Sequence, residues 1–328
     1  MMQRRTFLAM IPGSLLAAPL AAEAQQAAKV YRIGFLSGGT ATASKPFVEQ
    51  FRQGLRDLGY VEGQNIIIEY RWAEGQLNRL PQLATDLVRI APNLIVATAS
   101  QAALAARDAT TSIPIVMVNV GDPVYLGLTT SLGRPSKNLT GLTSFGPELA
   151  AKQLSLLKEA VPEVKRIAVL NNPGNPLNSP WLKGVEAAAR TLPIQIQLLS
   201  ITGPDDVATA FRDALKGRAG AIFVASDQVV ALQSAQISAL ALSNRLPTMS
   251  GSQALMDAGG LMTYSIDGLA MSRRAATYVD RILKGAKPGD LPIEEPTKFQ
   301  FVINLKTAKA LGLTIPPSLL LRADQVIE

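Results

Sequence analysis

From residue 30 onward, short runs of β-branched and aliphatic residues alternate with segments whose apolar residues recur every three or four positions. This rhythm constrains the chain most, because strand and helix in strict alternation suit a parallel sheet covered by helices on both faces. Residues 30–36 form the first expected strand, and Phe47, Val48, Phe51, Leu55 and Leu58 draw a helical stripe over 46–58 that Gly59 stops. Strands over 65–72, 94–98, 115–119 and 139–143 follow, with helices near 79–88, 101–109 and 124–132. The rhythm restarts with strands over 166–170, 194–199, 221–225, 247–250 and 261–265, and helices near 182–190, 207–215, 230–244 and 269–283. A connection rich in Pro, Gly and charge, 284–296, precedes a last strand over 299–303 and a helix over 305–311. The expectation is an α/β protein of two similar doubly wound halves.

Length agrees, since 328 residues exceed what one compact core usually fills, and 48% hydrophobic against 17% charged residues is ample for burial. The chain has no Cys and no His, which excludes thiol and Ser-His nucleophiles, Cys/His zinc sites, c-type haem attachment and disulfides. No cofactor or metal is expected. The net charge of +7 comes from Lys and Arg scattered among carboxylates, a pattern unlike the clustered basic face of a nucleic-acid partner.

Residues 1–24 have the layout of a secretory signal: Arg4 and Arg5, an apolar stretch over 7–20, and Ala22-Glu23-Ala24 as an A-x-A cleavage site, so that a mature chain begins near Gln25. The apolar stretch is too short and too interrupted for a membrane span. Arg4-Arg5-Thr6-Phe7-Leu8 fits the twin-arginine export signal, while an ordinary secretory signal carrying two arginines remains the other reading. With no Cys at the cleavage site, a lipoprotein is excluded.

The mature chain resembles the ABC-transporter substrate-binding proteins of the tryptophan/tyrosine-binding type. The resemblance covers 29–328 and rests on phrases in order: Gly59-Tyr60-Val61-Glu62-Gly63-Gln64-Asn65, Ile113-Pro114-Ile115-Val116, Gly121-Asp122-Pro123-Val124, Asn138-Leu139-Thr140-Gly141, Asn172-Pro173 and Val302-Ile303-Asn304-Leu305-Lys306-Thr307-Ala308. It implies a two-lobed fold of the type I periplasmic-binding kind, with a hinge and a ligand cleft between lobes. Lobe 1 is expected over 29–143 with about 264–292 returning to it, and lobe 2 over 144–263 with about 293–328. The implied activity is the binding of a small organic solute in the periplasm, amino acid or aromatic compound, by closure of the lobes, without catalysis. The implied partner is an inner-membrane ABC permease, and a monomer is expected. A receptor for a sensor kinase would have the same sequence features. A periplasmic enzyme on this scaffold lacks a paired acid-base motif here, and a transcription regulator would need a helix-turn-helix where the export signal stands.

In open α/β sheets, ligands sit beyond the carboxyl ends of strands. In lobe 1 this selects Ser37, Gly38 and Thr40, then Thr98 and Ser100, then Asn119 and Asp122, then Ser144 and Phe145. In lobe 2 it selects Asn172 and Asn175, Ser226 and Asp227, Ser250, and near a later crossing Tyr264 and Asp267. Each has a structural alternative: a β-α turn for 37–40, helix capping for Ser100, Asp122, Asp227 and Asp267, turn chemistry for the Asn residues. For an amino-acid ligand, Asp227 takes the ammonium, and the hydroxyl and backbone donors of lobe 1 take the carboxylate. Aromatic residues are only 5%, and Phe145, Trp181 and Tyr264 are the stacking candidates, each with the core as its alternative place.

Overall fold

The computed structural model describes residues 30–135, 138–144 and 149–328; the segment 1–24 expected to be an export signal and the candidate Phe145 lie outside the described residues. The first half runs β1 (Tyr31–Ser37), α1 (Ala41–Asp57), β2 (Ile66–Trp72), α2 (Leu80–Arg89), β3 (Leu94–Thr98), α3 (Ala99–Ala109), β4 (Ile115–Val120) and β5 (Leu139–Thr143). Its strands form a five-stranded sheet, β2-β1-β3-β4-β5, parallel throughout. The chain continues through α4 (Leu149–Ala160), β6 (Arg166–Asn171), α5 (Asn178–Thr191), β7 (Gln195–Ser200), α6 (Pro204–Lys216), β8 (Ala221–Val224), α7 (Gln228–Ala231), α8 (Ser234–Ser243), β9 (Thr248–Ser250), α9 (Gln253–Asp257) and β10 (Met262–Ile266). After α10 (Gly268–Leu283) come β11 (Phe299–Asn304), α11 (Leu305–Leu311), α12 (Pro317–Leu320) and β12 (Gln325–Ile327). The second sheet is seven-stranded, β12-β11-β10-β9-β8-β6-β7, and only the β10–β11 pair is antiparallel.

The inner strands β1, β3, β4, β6, β8 and β9 are near-continuous runs of buried residues, as a sheet covered on both faces requires, while the edge strands β2, β7 and β12 are more exposed. One face of the first sheet packs on α1 and α10 around Phe35, Phe51, Leu55, Val279 and Tyr278, and the other on α2 and α3 around Leu80, Leu87, Ala103 and Ala106. In the second sheet, α4 and α5 cover one face and α6 and α8 the other.

Three expectations change. No helix spans 124–132: the Asp122 carboxylate and turn bonds from Leu126 to Asp122, Gly127 to Val124 and Leu128 to Pro123 make a compact turn, and Gly127 at φ 65° ends it in the left-handed region. The layer beside α1 is filled by α10, from the far end of the chain. The helix expected from 46 starts at Ala41, because Thr40 caps it by accepting from the Ala43 amide at 3.1 Å. The helix expected over 230–244 is two, α7 and α8. α4, α9, α12 and β12 are elements the periodicity reading does not assign.

The chain passes from one sheet to the other three times, between β5 and α4, between β10 and α10, and between α10 and β11. Glu294 pairs with the edge of β5 by exchanging backbone bonds with Gly141 and Thr143, and the Asp267 amide donates to the Lys298 carbonyl. A cavity of about 230 Å³ opens here, lined by Leu142 of β5, by the start of α10 and by residues of the two later passages.

Candidate functional site

The carboxyl ends of the two sheets face each other. Two approaches between the halves fix this: a Cβ built on Gly38, after β1, would come 3.1 Å from the Gln228 Oε1, and one on Gly121, after β4, would collide with Leu177. Gly38 is buried beneath these neighbours. β3 lies between β1 and β4 in the first sheet, so the Thr98–Ser100 loop lies between the two approaches.

On this side, Ser37 and Thr98 are register partners on adjacent strands. The buried Ser37 hydroxyl accepts from the Gly39 amide at 3.2 Å and keeps its own proton for another acceptor. Buried Ser100 likewise accepts from the Gly121 amide at 3.1 Å, tying two neighbouring loops together. Thr98 donates to the Leu36 carbonyl at 3.3 Å and does not cap α3, so the first-turn amides of α3 have no side-chain cap. Ala99 at φ 66° and Asn119 at φ 58° hold the ends of β3 and β4 in the left-handed region, a strained arrangement for residues with a Cβ. Asp122 is half-buried and occupied by its turn, and the Ser144 amide donates to Val120.

On the opposite side, Asp227 organises the loops. Only 7% exposed, its Oδ1 accepts from the amides of Val229 (2.8 Å) and Val230 (3.1 Å) and from Asn172 Nδ2 (3.2 Å), and its Oδ2 accepts from Asn175 Nδ2 (2.7 Å). The capping reading of Asp227 is therefore realised, and a second acceptor position on Oδ2 remains. Asn172 and Asn175 use their own side-chain oxygens on the amides of Gly174 and Leu177, so Asp227 holds the loop that carries Leu177 to Gly121. It also directly precedes Gln228, the residue over Gly38. Exposed Ser226 gathers with Gln153 of α4 around Gly251, while fully buried Ser250 donates to the Val224 carbonyl. Gln153, Leu177 and Gln228 are site neighbours that a search confined to residues directly after strands does not reach; the polar Gln153 on the buried side of a helical stripe was their one visible signal.

The remaining candidates are committed to packing and capping. Tyr264 stacks on Phe299 with centroids 5.5 Å apart and 7° between planes, and Trp181 packs on Phe223 at 5.4 Å. Asp267 caps α10 through the Ala270 amide at 2.8 Å.

The site's potential follows from the helices. α1 to α6, α10 and α11 each end on a basic residue in the last turn, from Arg56 to Lys309, and among the α-helices of the described residues only α6 has acids in its first turn. In β-α units helix N-termini follow the carboxyl ends of strands, so positive helix ends point at the space between the halves while the cations sit at the far edges. That favours a carboxylate at the uncapped end of α3.

No helix among the described residues is long and apolar enough to cross a membrane. The sequence is 27% identical over 263 residues to the tyrosine-binding protein of Clostridioides difficile (strain R20291), covering 80% of this chain and 75% of that one. Two solved structures superpose over 91% of this chain and all of theirs: a conserved domain protein from Vibrio cholerae O1 biovar eltor str. N16961 (TM-score 0.85, 28% identity) and an ABC domain in complex with L-Trp from Streptococcus pneumoniae (TM-score 0.84, 27% identity). The architecture is that of the type I periplasmic binding proteins. The family model for ABC transporter substrate binding proteins matches residues 40–327, and the chain belongs to that family.

Proposed function

We propose that this protein is an exported, periplasmic receptor of an ABC importer that closes its two lobes, one built on each sheet, on a free aromatic amino acid and delivers it to an inner-membrane permease without chemical change. The observation that carries this reading is the pair of complementary polar rims held face to face by Gly38 against Gln228 and Gly121 against Leu177. Between them the uncapped α3 N-terminus, with Ser37 and Ser100, suits a carboxylate, and the vacant acceptor position of Asp227 suits an ammonium. The tyrosine- and tryptophan-binding relatives support an aromatic side chain. Because a ligand meets both rims only when they are together, its binding energy favours the closed state.

Mature protein, refolded to remove co-purified solute, is titrated with L-Trp, L-Tyr and L-Phe, and with tryptamine and indolepropionate, which lack the carboxylate and the ammonium. At 100 times its dissociation constant a ligand adds about 2.7 kcal/mol, a shift of a few degrees in the thermal midpoint. An amino acid is expected to shift it and to compact the protein in solution scattering, with each truncated analogue much weaker. Silence from all amino acids, or equal binding of the truncated analogues, would overturn the reading.

A further inference from the structure

At the opposite end of the second sheet, where its strands begin, a concavity of about 480 Å³ lies between the turns preceding β6 and β8. Its rims are fixed by two basic side chains already in use. Lys158 donates to the carbonyls of Pro162 (2.6 Å) and Val164 (2.8 Å), and Arg166 donates to the Gly217 carbonyl and to Gln195 Oε1. Three further cations line the same hollow or its edge, Lys165, Lys216 and Arg218, all exposed and, among the described residues, without a carboxylate in ion-pair reach. Glu163 is the single acid of the lining.

A basic residue at a helix end complements the macrodipole, and Lys216 does that for α6. Here Lys158 reaches past the end of α4 to the carbonyls of Pro162 and Val164, Arg166 takes the Gly217 carbonyl just beyond α6, and beside Lys216 the turns add Lys165 and Arg218, which no helix end uses. Like charges gathered in one hollow repel, and a bound anion relieves the repulsion.

We infer that this hollow is a second binding site, for a multiply charged phosphate group, which Lys165, Lys216 and Arg218 hold while Arg166 forms its wall. It lies at the far edge of the sheet from the solute cleft, so both can be filled together. The same chemistry is offered by a free phosphate compound and by an anionic lipid headgroup.

Full mature protein is titrated calorimetrically with inorganic pyrophosphate, and separately sedimented with phosphatidylglycerol vesicles. The variant Lys165→Gln/Lys216→Gln/Arg218→Gln is compared with Lys183→Gln/Lys306→Gln/Lys309→Gln, which removes the same charge elsewhere; circular dichroism checks that both fold. Saturable pyrophosphate binding that the first variant weakens about tenfold or more and the second leaves within about twofold supports the site. Vesicle binding with the same variant pattern, displaced by pyrophosphate, assigns the headgroup as the source; pyrophosphate binding without it assigns a free anion. Absence of binding in both arms, or equal loss in both variants, overturns the proposal.

Discussion

At the scale of single residues, Gly121 and Asp227 define what the cleft can tolerate. A methyl group at Gly121 meets Leu177 only when the halves are together, so its cost of about 1–3 kcal/mol for overpacking falls on the closed state alone. Gly121→Ala is expected to lower solute affinity about ten- to a hundredfold while the melting point of the solute-free protein stays put; titration calorimetry beside calorimetric unfolding reads both, and an unchanged affinity would mean that the contact is not part of closure. Asp227→Asn is more complex than a lost charge. An amide in its place turns one acceptor into a donor facing Asn175, which loosens the 171–178 loop and costs stability of about 1–3 kcal/mol. The ammonium role is separated by ligand: the variant should lose much more affinity for an amino acid than for its analogue without the amino group. Equal losses for both would leave Asp227 as a cap and loop anchor only. The sequence pointed to Asp227 through its place after a strand, but its two roles could not be ranked, because its partners Asn172 and Asn175 are more than fifty residues away.

At the scale of elements, the strands were the legible part. Each buried strand is a run of β-branched and aliphatic residues whose signal is local, and every expected strand is present within one or two residues. The helices show where local pattern ends. Residues 124–132 carry enough apolar residues to suggest a helix, yet the Asp122 turn and Gly127 close the segment after one turn. Conversely α4 has a clear stripe in Ala150, Leu154 and Leu157, which a reading centred on strands passes over. The partnership of α1 with α10 is a long-range contact that no window of sequence contains. It depends on Gly54, whose missing side chain lets α10 approach through the Arg273 carbonyl and Ala276, on the Tyr60 hydroxyl donating to Asp280 at 3.0 Å, and on the ion pair of Arg273 with Asp57. Burial first, and the Asp280 bond second, push the Tyr60 hydroxyl up to about 12, so it stays a donor at any ordinary pH. Gly54→Val should separate the two helices and destabilise the protein by about 1–3 kcal/mol or more, read as a lower midpoint in urea. Tyr60→Phe should cost about 1 kcal/mol, since Asp280 retains Lys284 at 2.8 Å.

At the scale of the whole molecule, charge is arranged in two layers: cations at helix carboxyl ends on the outer edges, and helix N-termini, that of α3 without a side-chain cap, toward the cleft. The carboxylates serve as ties. Glu294 stands where the chain passes back to the second sheet and accepts both bonds of a bidentate contact from Arg274, at 2.9 and 2.7 Å; these hydrogen bonds, more than the charge itself, hold its carboxyl below the usual glutamate value of 4.5. Hydrogen bonding from Arg322 does the same for Glu159, in the second half. A carboxyl whose folded-state pKa lies below its unfolded value binds protons more readily when unfolded. Its contribution is therefore complete above the unfolded value and is lost as pH falls through the folded one. Both pairs are half-exposed, so solvent screening keeps each contribution small. The thermal midpoint should consequently hold steady from pH 7 to about 5 and fall below about 4.5, where the carboxyls begin to protonate. Glu294→Gln should lower the midpoint at pH 7 and flatten the acid decline, because the substituted group no longer titrates. An acid decline as steep in Glu294→Gln as in the parent would place the acid sensitivity in other carboxylates, and the tie at the passage between the sheets would then be one of geometry rather than of charge.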